Sequence, residues 1–120
     1  MSQFPVPQNY RDTLDRFSFV LLGAPEFKRT PVKYTFTLDD VMASLDAGVA
    51  GVASRIKNSE ALALFDKCRE EIKVTHQYFK EGKLSEARRQ IQVARDFFKQ
   101  AAKLRSTKQS KALVEDDGQP

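Results

Sequence analysis

The chain has 120 residues, 41% hydrophobic and 30% charged, with 5 Gly, 5 Pro, 1 Cys and 1 His, which is the balance of one globular domain and excludes a disordered or fibrous chain. No apolar run approaches the roughly 20 residues of a membrane span, and Met1-Ser2-Gln3-Phe4 lacks the basic and apolar stretches of a secretion signal, so the chain reads as intracellular and cytoplasmic. The net charge of +4 is unevenly spread: Lys83, Arg88, Arg89, Arg95, Lys99, Lys103, Arg105, Lys108 and Lys111 face only Glu86 and Asp96 over residues 83–111, so the positive excess belongs to one C-terminal stretch.

Residues 1–36 read as an arm. Pro5 and Pro7 withhold backbone donors and favour an extended start. Residues 9–22 fit two patterns: Tyr10, Leu14 and Phe17 recur at helical spacing behind a capping Asn9, while Phe17, Phe19 and Leu21 alternate as a strand does. Further on, Val32, Tyr34, Phe36 and Leu38 alternate with Lys33, Thr35 and Thr37, which predicts a short strand. Its candidate hairpin partner is 17–22, across Gly23-Ala24-Pro25 and Thr30-Pro31. Val32, Tyr34 and Phe36 would then be the residues that add a strand to a partner's sheet edge.

From Thr37 the pattern is helical. Thr37 and Asp40 form a Ser/Thr-x-x-acid start, and Met42, Leu45, Val49, Val52 and Ile56 follow at alternating spacings of three and four. Asn58-Ser59 offers a break and a new cap. A second helix is predicted over about 60–81, with Leu62, Phe65, Ile72 and Phe79 on one stripe, Arg69 and His76 at intermediate places on it, and Gly82 closing it. A third repeats the spacing through Leu84, Ala87, Ile91, Ala94, Phe98 and Ala101, widened by Val93, Phe97 and Leu104. Short connections make such helices antiparallel neighbours. The expectation is a mainly α fold: an antiparallel three-helix bundle over 37–105, an N-terminal extended arm or short β-hairpin over 1–36, and a disordered, charged tail over 106–120.

The chemical inventory argues against an enzyme. Cys68 and His76 lie eight residues apart on one predicted helix, about 12 Å along its axis, and cannot form a nucleophile–base pair within it. His76 reads as a seam or interface residue and Cys68 as a buried small hydrophobe. Two Cys/His residues in all do not make a zinc site, and Glu115-Asp116-Asp117-Gly118 lacks the alternating acids of a calcium loop. The segment Gly48-Val49-Ala50-Gly51-Val52-Ala53 has no phosphate-loop signature. No catalytic residue, cofactor or metal is expected.

Two features point to partners. Ala43, Ala47 and Gly51, at i, i+4 and i+8, form a ridge of small side chains along which another helix can approach closely; whether that helix belongs to this chain or to another subunit stays open. Arg88, Arg95, Lys99 and Lys103 share one face of the third helix, a surface that attracts phosphate backbones or acidic proteins. The chain lacks interleaved exposed aromatics and any RNA or DNA motif, so nucleic-acid binding would be backbone-directed. The expected function is a non-enzymatic protein-interaction module or small subunit of a larger assembly, with a protein partner or homo-oligomer. The alternative is a nucleic-acid-associated subunit using the basic helix.

Tyr78-Phe79-Lys80-Glu81-Gly82-Lys83-Leu84-Ser85-Glu86-Ala87, followed by Ile91 and Ala94, resembles the turn of a tetratricopeptide repeat. Tyr78, Gly82, Leu84, Ala87 and Ala94 stand where that family places its aromatic, turn glycine and small packing residues. The resemblance covers one repeat, about residues 72–98, and implies a helix–turn–helix hairpin of the kind used to bind proteins.

Overall fold

The fold is given by a computed structural model that describes residues 4–27 and 36–114, with side chains as far as Leu104. Among the described residues it is mainly α, with four helices rather than three: α1 (Tyr10–Gly23), α2 (Leu38–Ala53), α3 (Ser59–Lys80) and α4 (Leu84–Val114). Each packs on the next, and α4 closes back on α1, so that α2 and α4 lie across the bundle from each other.

The additional helix, α1, lies within the stretch expected to be an arm. Asn9 starts it, its side chain accepting from the Asp12 N–H at 2.8 Å while its carbonyl accepts the Thr13 hydroxyl at 2.7 Å. Thr13, Phe17 and Val20 are buried at helical spacing, whereas Leu22 is 85% exposed. The helical period therefore prevails over the strand-like alternation, because one face of the helix meets Phe98 on α4 while Phe19 and Leu21 fall on its flanks. Among the described residues there is no strand and no β-hairpin. Val32 and Tyr34 lie outside the described residues. Phe36 precedes α2 and is packed against the core, its ring 4.7 Å from Phe4 and 5.6 Å from Phe27.

The helix boundaries follow local chemistry. Thr37 and Asp40 form a reciprocal capping box at α2 (2.9 and 3.2 Å). Asn58 accepts from the Glu60 and Ala61 N–H groups (2.9 and 3.1 Å) to start α3. Gly82, at φ +76°, closes α3: its N–H reaches the Phe79 carbonyl at 3.2 Å and the Lys83 N–H reaches Tyr78 at 2.9 Å, a Schellman turn that only a left-handed residue completes at low cost. With three residues between them, α3 and α4 form an antiparallel hairpin, the most extensive interface of the fold.

The seam of α3 runs through Ala61, Phe65, Cys68, Ile72, Thr75 and Phe79: Phe65, Ile72 and Phe79 are where the sequence put them, while Ala61, Cys68 and Thr75 take the places expected for Leu62, Arg69 and His76, one step round the helix. Leu62, Arg69 and His76 are half-buried on its flank. The shift has a packing cause. Ala87, Ala94 and Ala101, seven apart on α4, are fully buried and bring α4 close, a geometry that suits small residues opposite and places Phe65 against Phe98 (5.7 Å). Thr75 is sealed in with its hydroxyl donated to the Glu71 carbonyl at 2.8 Å. α4 runs nine residues past the expected end at 105, to Val114. At about 1.5 Å per residue its 31 residues span about 46 Å, close to the 49 Å long dimension of the molecule.

Candidate functional site

The outer side of α2 is the first candidate surface. Its buried positions, Val41, Met42, Ser44, Leu45, Gly48, Val49 and Val52, take up most of its circumference, which leaves Ala43, Ala47, Ala50, Gly51 and Ser54 facing outward. Ala43 and Ala47 are exposed, and a Cβ added at Gly51 would meet nothing within 4 Å. Among the described residues no helix covers the ridge. The close approach occurs one step round the helix instead, at Gly48, where an added Cβ would come within 3.0–3.1 Å of the Pro7 ring.

Pro7 belongs to an extended segment, residues 4–8, laid along the bundle by two arginines. Arg16 of α1 donates through Nη1 to the Pro5 carbonyl (2.9 Å) and to Ser44 Oγ (2.6 Å), and its guanidinium lies 4.4 Å above the Phe4 ring. Ser44 in turn donates to the Val41 carbonyl at 2.7 Å, which fixes its acceptor lone pair toward Arg16. Burial pulls the Arg16 pKa below its usual value, with Asp12 opposing the shift. Arg55, just past α2, donates through Nη2 to the Gln8 carbonyl at 2.8 Å. None of Arg16, Ser44, Gly48 and Arg55 stands out in the sequence as a binding residue. The signal that could have found them is the Phe-Pro-x-Pro spacing, which demands a receiving surface once the bundle is known.

On the opposite flank of α2, two polar pairs bind it to α3. Arg69 grips Asp46 with two parallel bonds, Nε to Oδ1 at 2.9 Å and Nη2 to Oδ2 at 3.0 Å, and this hydrogen bonding raises the Arg69 pKa. His76 Nε2 meets Asp39 Oδ1 at 2.5 Å, with Lys80 Nζ 3.9 Å from the same oxygen. Cys68 is fully buried, and loss of solvation, reinforced by the Asp46 charge, pushes its thiol from 9.0 to about 12. It is a packing residue held in its unreactive form.

The basic face of α4 is the third surface. Arg88, Lys99 and Lys103 are exposed and Arg95 is half-buried, all on one side of the helix. Among the described residues none of Arg88, Arg95 and Lys99 has an ion-pair partner, and Arg95 Nε is sealed from solvent without a hydrogen bond. The structure thus keeps the four basic residues together and keeps Ala43, Ala47 and Gly51 together, on helices that do not neighbour each other. Among the described residues no helix is long and apolar enough to cross a membrane. Comparison with protein-family models, with curated proteins and with solved structures finds no match to this chain.

Proposed function

We propose that the chain is a non-enzymatic helical interaction module, a subunit that assembles through the outer face of α2 with a second copy of itself. The observation that carries this reading is the uncovered ridge: Ala43 and Ala47 exposed, with open space beyond Gly51. A glycine inside a helix costs about 1 kcal/mol relative to alanine. At Gly48 the Pro7 ring makes use of the missing side chain; at Gly51 nothing among the described residues does. A helix seated on the ridge at close range supplies the offsetting contact, and a two-fold pairing of α2 with α2 sets one small-residue ridge against another. The groups that could do chemistry are engaged otherwise, His76 with Asp39 and Cys68 in the core. The tetratricopeptide-like character of the α3–α4 hairpin belongs to the same proposal, as a protein-binding element.

A second reading is favoured by the basic face of α4, where Arg88, Arg95 and Lys99 have no ion-pair partner among the described residues: a nucleic-acid-associated subunit whose Arg88, Arg95, Lys99 and Lys103 lie along phosphates. One experiment separates the two. Light-scattering mass is measured at low and moderate salt, with and without a mixed-sequence oligonucleotide, for the wild type, Ala47→Arg and Arg95→Glu/Lys99→Glu. A concentration-dependent dimer that persists at moderate salt and is lost in Ala47→Arg supports the first reading. A wild type that stays monomeric and gains mass only with oligonucleotide at low salt, through Arg95 and Lys99, replaces it with the second.

A further inference from the structure

Residues 4–8, Phe-Pro-Val-Pro-Gln, sit on the bundle as a bound peptide would. Their shape is set before they dock: Pro5 and Pro7 have fixed φ, and Phe4 and Val6, each preceding a proline, are driven to extended backbone. Such a run has little conformational entropy left to lose on binding. The receiving surface reads four things. Arg16 Nη1 takes the Pro5 carbonyl and Arg55 Nη2 the Gln8 carbonyl. Gly48 opens a slot in which Pro7 is buried, while Pro5 and Val6 face solvent. The Phe4 ring is held between the Arg16 guanidinium at 4.4 Å and Phe36 at 4.7 Å. Among the described residues no backbone–backbone hydrogen bond ties 4–8 to a helix. The segment is therefore held through one aromatic ring, one proline and two carbonyls, and Val6 is read only as a spacer.

We propose that this groove, on the flank of α2 formed with α1, is a binding site for extended Phe-Pro-x-Pro segments of partner proteins, and that residues 4–8 occupy it in cis as a displaceable strap. Any peptide that presents an aromatic ring, a proline three residues on and free carbonyls makes the same contacts, which is how polyproline-II segments are recognised elsewhere. The tethered strap competes at an effective concentration on the order of millimolar, so the intact chain answers to a partner in proportion to how far the strap is released. The groove takes in Ser44 and Gly48 and lies beside the Ala43–Ala47–Gly51 ridge on which the proposed function rests, sharing none of its residues.

The test uses the full chain throughout and, as probe, a fluorescent synthetic peptide with the sequence of residues 2–10. Binding is read by anisotropy to the wild type, to a strap variant (Phe4→Ser/Pro7→Ser), and to that variant carrying also Gly48→Leu or Arg55→Gln. The strap variant is expected to bind the peptide at least tenfold more tightly than the wild type. Gly48→Leu, which fills the slot, removes that gain, and Arg55→Gln, an exposed change remote from the core, weakens it several-fold. Circular dichroism of each variant checks that the helices persist, and Arg55→Gln keeps the test decisive where Gly48→Leu does not fold. Equal affinity of the wild type and strap variant, or a gain indifferent to Arg55→Gln, overturns the proposal. Ala47→Arg is expected to leave peptide binding intact, which separates this outcome from that of the α2 ridge.

Discussion

The α3–α4 hairpin and the N-terminal portion through α1 are built on different principles within one bundle. The hairpin rests on repetition: a three-four seam on each helix, alanines every seventh residue on α4, and a glycine turn between them. The N-terminal portion rests on individual contacts: rings of Phe4, Phe19, Phe27 and Phe36 packed against one another, two arginines holding carbonyls, and a proline on a glycine. A repetitive interface spreads its energy over many similar burials. A contact-built one concentrates it in few residues, and each can be removed singly.

The two portions meet at Phe98, so the largest effect is expected there. Its ring is fully buried and packs 5.1 Å from Tyr10, 5.5 Å from Phe17 and 5.7 Å from Phe65, which makes it a side chain shared by α1, α3 and α4. Phe98→Ala should cost about 3–5 kcal/mol in urea unfolding, a large part of the stability of a small domain. Phe4→Ala, at the half-buried edge of the aromatic group, should cost on the order of 1–2 kcal/mol. If the two losses are equal, the division between the portions is wrong.

Cys68 sharpens the hairpin side of the comparison through pH. Folding raises its thiol from 9.0 to about 12, so the unfolded chain ionises first as the solution becomes alkaline. The stability it contributes is intact below pH 9 and drains away between pH 9 and 12, at about 1.4 kcal/mol per pH unit. The difference in unfolding free energy between wild type and Cys68→Ala, followed across that window, isolates this thiol from the lysines and tyrosines that titrate alongside it. A difference independent of pH would mean that the thiol is not sealed in the seam.

Much of the repetitive portion was legible in the sequence. Thr37 with Asp40, Asn58 and Gly82 each act at the nearest backbone groups, and α4 carries its period in large apolar residues. The phase of α3 was not legible, because Leu62, Arg69, His76 and Ala61, Cys68, Thr75 are stripes one step apart. Only the close alanines of α4 decide that small and hydroxyl residues fill the seam. The N-terminal portion hid for a different reason. In 9–22 two periods coexist, and the choice between them is made by Phe98, far along the chain. The clamp was hidden too, since Arg16 and Arg55 bind carbonyls, which every residue carries. For the ridge, sequence found the residues and could not tell that the described helices leave them bare.

Gly82 tests the turn that joins the two long helices. At φ +76° an alanine pays the left-handed penalty, so Gly82→Ala should lower stability by about 1–2 kcal/mol with no change in any packed contact, since an added Cβ meets nothing within 4 Å. The resulting loss measures backbone conformation alone and is expected to lie well below that of Phe98→Ala.

The smallest effects are also the most discriminating, because Gly48 and Gly51 share one helix and one propensity. Gly51→Ala adds a methyl group into open space and should raise the stability of the isolated chain by up to about 1 kcal/mol. Gly48→Ala gains the same propensity but drives its Cβ within 3.0–3.1 Å of the Pro7 ring, so thermal unfolding should show no gain, or a loss as the strap is pushed off its seat. Association separates them further. If α2 pairs with α2 across the ridge, Gly51→Ala stabilises the monomer while weakening the dimer, a reversal of sign that no change in helix propensity produces. Gly48→Ala leaves the ridge untouched and should leave the dimer as it was. Should Gly51→Ala stabilise both states alike, the glycine is a bare cost within α2, and the ridge loses the physical reason for assigning it a partner.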